Sequence, residues 1–263
     1  MSLLTLISKS GLTRTPCHPR PAQGLSNIHP ACPSAVTPCA NCLTFSHCFS
    51  QELTPFALEL AQYVTIIRPP RIIKKGIFLY RPNDTFHNIY MVRSGSFKTC
   101  VSHRNGKEQI TGLYFSGELL GLDGICTQQH SCYARALENS SVCAIPFHLL
   151  ETLCQRNKTL QHYMYHVMSN KIVRDASLLL LLGTMSAEQR VAAFLLDISQ
   201  RYKAHGYSGT EFTLCMSREE IGSYLGLKLE TVSRVLSSFQ KNRLVETHSK
   251  HIRILNIMVL GSI

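Results

Sequence analysis

Cys39, Cys42 and Cys48 fall within ten residues, at the spacing C-x2-C-x5-C. Thiolates brought this close repel one another unless a positive centre sits between them or they oxidise. A metal ion, an iron–sulfur cluster and a disulfide are the outcomes open to them. Zinc takes four ligands and a cubane cluster takes four cysteines, so three local thiols ask for a fourth from elsewhere. The plainer alternative is a loop of unrelated free thiols. Free cysteine, however, is mostly buried among apolar neighbours, and Pro38, Asn41, Thr44 and Ser46 surround these three. Cys17 and Cys32 lie upstream with no close companion and read as bystanders.

A second set of residues with chemistry to offer lies near the other end of the chain. Glu230, Ser233 and Arg234 are spaced i, i+3, i+4 and share one face of a helix expected over 229–241. Val232, Leu236 and Phe239 share another face and point inward. Arg can bond guanine through two donors, Glu can accept from the cytosine amino group, and Ser suits either role. The bland reading is an exposed Glu230–Arg234 ion pair, worth about 0.3–0.5 kcal/mol. Arg218, Lys228, Lys241, Arg243 and Lys250 are candidate phosphate contacts, each individually no different from a solvated surface charge.

These side chains need elements to hold them. Ser217-Arg-Glu-Glu220 is a capping box opening a short helix. Gly226 breaks that helix and the 229–241 helix follows, which makes a helix-turn-helix. Residues 244–247 and 251–255 form a β-wing with Ser249-Lys250 near its tip. Upstream, 187–202 reads as a helix with Val191, Phe194, Leu195 and Ile198 inward. Tyr165, Met168, Ile172, Asp175, Leu179 and Leu182 step by three and four, the seam of two packed helices. Asp175 is the acid in that apolar row. Either it faces its symmetry mate and leaves the dimer marginal, or the seam is rotated by one position and Asp175 faces water. Between about residues 66 and 146, short β-rich runs alternate with turn signals, and Asn105-Gly106 marks a hairpin. That half is a small antiparallel β-roll. A stretch from 51 to 60 is a short helix at best.

Composition narrows the partners. The 263 residues carry a formal net charge of +11 at pH 7, with 44% hydrophobic and 16% charged residues. Such a balance favours polyanions, nucleic acid first and a membrane surface second. No run approaches the roughly 18 apolar residues that a membrane span needs. Eleven scattered cysteines, an odd number, argue for a reducing, cytoplasmic compartment rather than a disulfide framework. Residues 1–37 are rich in proline and, like the whole first fifty, hold no Asp or Glu. They read as a flexible arm, with a transit peptide as the alternative. The expected organisation is α+β: the arm (1–37), a cysteine segment with the β-roll (38–146), a dimerisation helix (147–183) and a winged helix-turn-helix (184–263).

In that order these parts resemble the CRP/FNR superfamily of bacterial transcription regulators, closest to the oxygen-responsive fumarate-and-nitrate-reduction branch. Four passages carry the resemblance: the cysteine cluster, Glu108-Gln-Ile-Thr-Gly112, Ser141-Val-Cys-Ala-Ile-Pro146, and the stretch from Ile221 to Arg234. The resemblance implies a 4Fe–4S cluster held by Cys39, Cys42, Cys48 and Cys143. It implies a homodimer when the cluster is intact, with Asp175, Ile172, Met168 and Leu179 at the switchable interface. It also implies that Glu230, Ser233 and Arg234 read a palindromic site of TTGAT type, and that the bound dimer contacts RNA polymerase. Gly117-Glu-Leu119 resembles the start of a cyclic-nucleotide cassette. The phosphate-binding Arg-Ser of that cassette falls on His130-Ser131, which removes the planar charged fork, so no cyclic nucleotide is expected. Lys228 stands where Ser or Thr often caps the recognition helix, and a cation there opposes the helix dipole. The rivals are a regulator of the same fold that uses zinc, thiol oxidation or nitric oxide as its signal, and an iron–sulfur enzyme. The chain shows no substrate motif, clustered carboxylates or Gly-rich phosphate loop, so it is not expected to be an enzyme.

Overall fold

A computed structural model describes residues 70–102, 106 and 108–263. Cys39, Cys42, Cys48 and the expected 51–60 helix lie outside the described residues. The β-roll is two four-stranded antiparallel sheets. One has the order β1 (Arg71–Ile73), β8 (Ser140–Pro146), β3 (Asn88–Ser94), β6 (Leu119–Leu120). The other runs β2 (Phe78–Tyr80), β7 (Tyr133–Ala136), β4 (Ser96–Ser102), β5 (Glu108–Phe115). The expected hairpin is present: Ser102 pairs with Glu108 and Val101 with Gln109 across the Gly106 turn. At the β3–β4 corner the chain turns at Gly95, φ +80°, where a Cβ would sit 2.3 Å from Ser140 Oγ. Only glycine fits that approach.

Alternation along β8 divides the core. Val142 points between the sheets and joins Ile73, Leu79, Val92, Phe97 and Leu120. Cys143 and Ile145 point the other way, into a cluster with Phe86, Ile89, Met91 and Leu119. Two helices close that cluster from outside. α1 (Phe147–Arg156) contributes Leu150 and Leu153, and α2 (Lys158–Thr184) contributes Leu160 and Met164. The single helix expected over 147–183 is therefore two. Asn157 interrupts it at φ −125°, ψ 105°, and its side chain accepts a hydrogen bond from Leu160 N at 3.0 Å. Asparagine competes with the helix for backbone partners and favours the cap over the interior.

The C-terminal part begins with α3 (Ala187–Ala204), opened by a capping box between Ser186 and Gln189. α4 (Arg218–Leu225) carries the expected Ser217–Glu220 box, and α5 (Leu229–Lys241) follows after Gly226. The wing has three strands, not two: β10 (Val245–His248), β11 (His251–Ile254) and then β9 (Glu211–Thr213). α6 (Ile257–Leu260) follows the wing and was not expected from sequence. Val191, Phe194, Leu195 and Ile198 of α3 are buried with Leu225, Val232, Leu236 and Phe239, as the periodicity required.

Candidate functional site

The geometry of α5 follows from what it buries. Val232, Val235, Leu236 and Phe239 form its inner face. That leaves Glu230 and Arg234 exposed and Ser233 half-buried on the outer side near the N-terminus. Arg234 Nη2 reaches Thr231 Oγ1 at 3.4 Å. Among the described residues no ion pair joins it to Glu230, so the bland reading of that face finds no support. Lys228 is the N-cap and its side chain makes no capping bond. Arg218, at the start of α4, and Lys250, at the wing tip, line one cleft with Ser217, Leu236 and Ser249. Lys250 Nζ also donates to Cys215 O at 3.1 Å. Lys241 and Arg243 are exposed at the far end of α5. The arrangement is a polar, cation-flanked helix face next to a wing, which can enter a DNA groove.

Gly226 fixes the turn between the two helices. It ends α4 at φ 63°, and a Cβ there would lie 3.2 Å from Leu182 Cδ2 and 3.4 Å from Arg190 Nη1. Arg190 locks this joint. Its guanidinium donates to Leu182 O (2.9 Å), Met185 O (2.9 Å) and Leu225 O (3.1 Å). The end of α2 is thus tied directly to the helix-turn-helix.

Along α2, Tyr165, Ile172 and Leu179 form an exposed row at i, i+7, with Ile172 68% and Leu179 70% exposed. Met168 instead packs partly against the cluster that holds Cys143. Asp175 sits beside the exposed row, and Lys171 Nζ donates to both its oxygens at 2.5 Å. The acid therefore carries its own counter-ion on the same helix.

Cys143 is 7% exposed, inside the cluster closed by Leu160 and Met164. A thiolate in so apolar a place requires a positive partner. No group of three or more His, Cys, Asp or Glu side chains is arranged to hold a metal ion among the described residues. A metal centre built on Cys143 must therefore draw its other ligands from outside them. The thiols at Cys39, Cys42 and Cys48 match that need in number and softness.

Sequence reasoning missed the ion cluster that joins the two halves. Glu118, in the turn before β6, is only 12% exposed at its side chain. It accepts from Arg174 of α2 (3.1 Å), Arg201 of α3 (2.5 Å) and Phe115 N (3.0 Å). Burial raises the carboxyl pKa, but the two guanidiniums and the hydrogen bonds outweigh it and hold it below the ordinary value. Arg201 also stacks over Phe115, 4.5 Å from the ring centre. The partners are 56 and 83 residues away, so no local pattern announces them. The first helix of the helix-turn-helix, α4, also rests on the β-roll. Lys98 Nζ meets Glu220 Oε1 at 2.7 Å, and Ile110 N donates to Ser223 Oγ at 3.2 Å.

A β-roll, a long helix with a bare apolar row, and a winged helix-turn-helix define a class of DNA-binding regulators, and comparison with known proteins agrees. Residues 70–157 match the cyclic nucleotide-binding domain family and residues 189–263 the Crp-like helix-turn-helix domain family. The chain is 42% identical over 218 residues to the transcriptional activator protein Anr of Pseudomonas protegens, covering 80% of this chain and 89% of that one. It is 41% identical over 217 residues to the fumarate and nitrate reduction regulatory protein of Vibrio cholerae, covering 80% and 87%. Among solved structures, FixK2 from Bradyrhizobium japonicum aligns with a TM-score of 0.68 at 26% identity, over 73% of this chain and 95% of that one. The chain belongs to the CRP/FNR family of transcription regulators. It is a DNA-binding regulator, not an enzyme, and no helix among the described residues is long and apolar enough to cross a membrane.

Proposed function

We propose that this chain is an oxygen-responsive regulator that binds DNA as a homodimer when oxygen is absent. Cys39, Cys42, Cys48 and Cys143 are its ligands for a 4Fe–4S cluster. When bound, the cluster supplies an oxygen-labile cross-link among four thiolates. The observation that carries the reading is the position of Cys143: one buried cluster holds this thiol together with Leu160 and Met164, and Met168 packs against it. A change in what Cys143 binds is therefore felt at the N-terminal half of the helix that bears the bare Tyr165–Ile172–Leu179 row. The named relatives, a transcriptional activator and a fumarate and nitrate reduction regulator, support the same reading.

Dimerisation through α2 places two α5 helices about one DNA turn apart, roughly 34 Å. Glu230, Ser233 and Arg234 then read each half of a palindromic TTGAT-type site, while Arg218, Lys228 and Lys250 hold phosphates. A coupling of about 1–3 kcal/mol between thiol ligation and dimerisation changes occupancy many-fold. The bound dimer contacts RNA polymerase, and no cyclic nucleotide takes part. The test is DNA binding by the anaerobically reconstituted protein, before and after air, beside Cys143→Ser. We expect stoichiometric iron and sulfide, air-sensitive binding, and loss of both in the variant. Unchanged iron content in Cys143→Ser would sink the four-thiol assignment. A colourless protein that binds its site equally in air would favour zinc or thiol chemistry instead.

A further inference from the structure

β5 lies at the edge of its sheet, beside β4. An open edge offers unpaired backbone groups, and α4 covers this one. Ser223 Oγ accepts from Ile110 N at 3.2 Å and donates to Glu108 O at 3.4 Å. Those two groups lie on one side of the strand and are the pair that a neighbouring parallel strand would engage. The Ser223 carbonyl in turn accepts from Gln109 Nε2. Nearer the start of α4, Glu220 Oε1 meets Lys98 Nζ of β4 at 2.7 Å, with side chains only 26% and 11% exposed. The other oxygen, Oε2, accepts from Ser217 N at 2.7 Å in the capping box. Glu220 therefore both opens α4 and moors it. Glu108, Gln109 and Ile110 begin the Glu108–Gly112 passage, which the proposed function leaves without a task.

The DNA-binding part is also held at both ends of α3. Arg190 ties the start of that helix to the end of α2, and Arg201 ties its far end to Glu118 and to Leu113 O. Both anchors lie on one helix, so together they still permit a roll about its axis. α5 packs on α3 through Val232, Leu236 and Phe239. At the 8–10 Å separation of packed helices, a roll of about 20° carries α5 by roughly 3 Å. That is close to the ~3.4 Å rise of one base step. The contacts of α4 with β4 and β5 lie off that axis and block the roll. We propose that this seat, made by Ser223, Gln109 and the Lys98–Glu220 pair, sets the distance between the two recognition helices and makes the dimer selective for the spacing of its half-sites. The inference rests on the dimer reading given above. A cover that only protected a strand edge would leave spacing untouched, so the two roles have different signatures.

The experiment measures the affinity of the anaerobically reconstituted full chain for three palindromic DNA sites. Their half-sites stand at the preferred distance, one base pair closer, or one base pair further apart. Wild type should bind either altered site at least about tenfold more weakly, the scale of one wrong base pair. Ser223→Ala and Lys98→Met should each reduce that ratio several-fold, and the two combined should bring it close to one. Ser223→Thr, which keeps the hydroxyl, should keep the ratio. Neither Ser223 nor Lys98 belongs to the reading face or to the bare row of α2, so sedimentation velocity should show the dimer unchanged. A loss of stability alone lowers binding to all three sites together and leaves the ratio where it was. Lys98→Met acts from the β-roll side and serves if Ser223→Ala folds poorly. The proposal falls if the folded variants keep the wild-type ratio. A wild type that tolerates every spacing, or binds a single half-site as tightly as the palindrome, overturns the dimer reading and this proposal with it.

Discussion

Arg234 and Lys250 make different demands on DNA, and their substitution should separate reading from holding. Arg234→Ala is expected to cost about 1–3 kcal/mol and to relax base preference at one position of each half-site. Lys250→Ala should weaken binding evenly across sequences and lower the salt slope by about one. Binding titrations over several salt concentrations and a panel of single-base variants would show both patterns; matching behaviour of the two variants would refute the division of roles. Glu230, Ser233 and Arg234 were legible because helical spacing and the apolar face opposite fix where they point. In the sequence, only resemblance marks Cys143 as a proposed ligand; its strand pattern shows that it is buried. The roles of Glu118 and Arg190 were not legible at all. Their roles depend on partners brought together by the fold, and an isolated acid or arginine in sequence carries no sign of that.

At the scale of elements, the Glu118 cluster is the joint between β-roll, α2 and α3. Glu118→Gln leaves Arg201 without its buried partner, at a cost on the order of 3 kcal/mol; the Arg174 arm, more than a third exposed, adds little. The pH dependence follows from the sign of the shift. The folded carboxyl titrates below the ordinary Glu value of 4.5. Its contribution is present in full above that value and is lost as pH falls through the lower, folded pKa. Denaturant titrations from pH 7 to pH 3 should show a steeper acid decline in wild type than in Glu118→Gln; parallel declines would refute the clamp. Lys228 offers a second test. Lys228→Ser should add a cap worth about 0.5–1 kcal/mol to α5 while removing one phosphate contact, so Tm rises as DNA affinity falls. Affinity unchanged at low salt would show that Lys228 touches no phosphate. Strand alternation, capping boxes and turn glycines made most elements readable. Asn157 split one helix because a single capping side chain outweighs a continuous apolar rhythm, and the three residues of β9 are too few to show a period.

For the whole molecule, the proposed function makes self-association the step that decides the output. Lys171→Ala removes the counter-ion of Asp175 and is expected to shift the anaerobic protein toward monomer, and Ile172→Asp should abolish the dimer. Sedimentation velocity over a range of concentrations measures both; a dimer of unchanged affinity in Ile172→Asp would place the contact on some other face. The order of domains was legible because texture changes along the chain, from β-rich to helical to helix-turn-helix. How those domains lock together was not, since Lys98–Glu220 and Ile110–Ser223 each join residues more than a hundred positions apart. The uncovered oily ridge on α2 has one more effect. On the proposed function, a solitary copy in air displays it continuously, and chaperones and proteases select for that kind of surface. On that reading the aerated population is not only silent but short-lived, and a cell returning to anoxia depends partly on fresh synthesis to regain control of its genes.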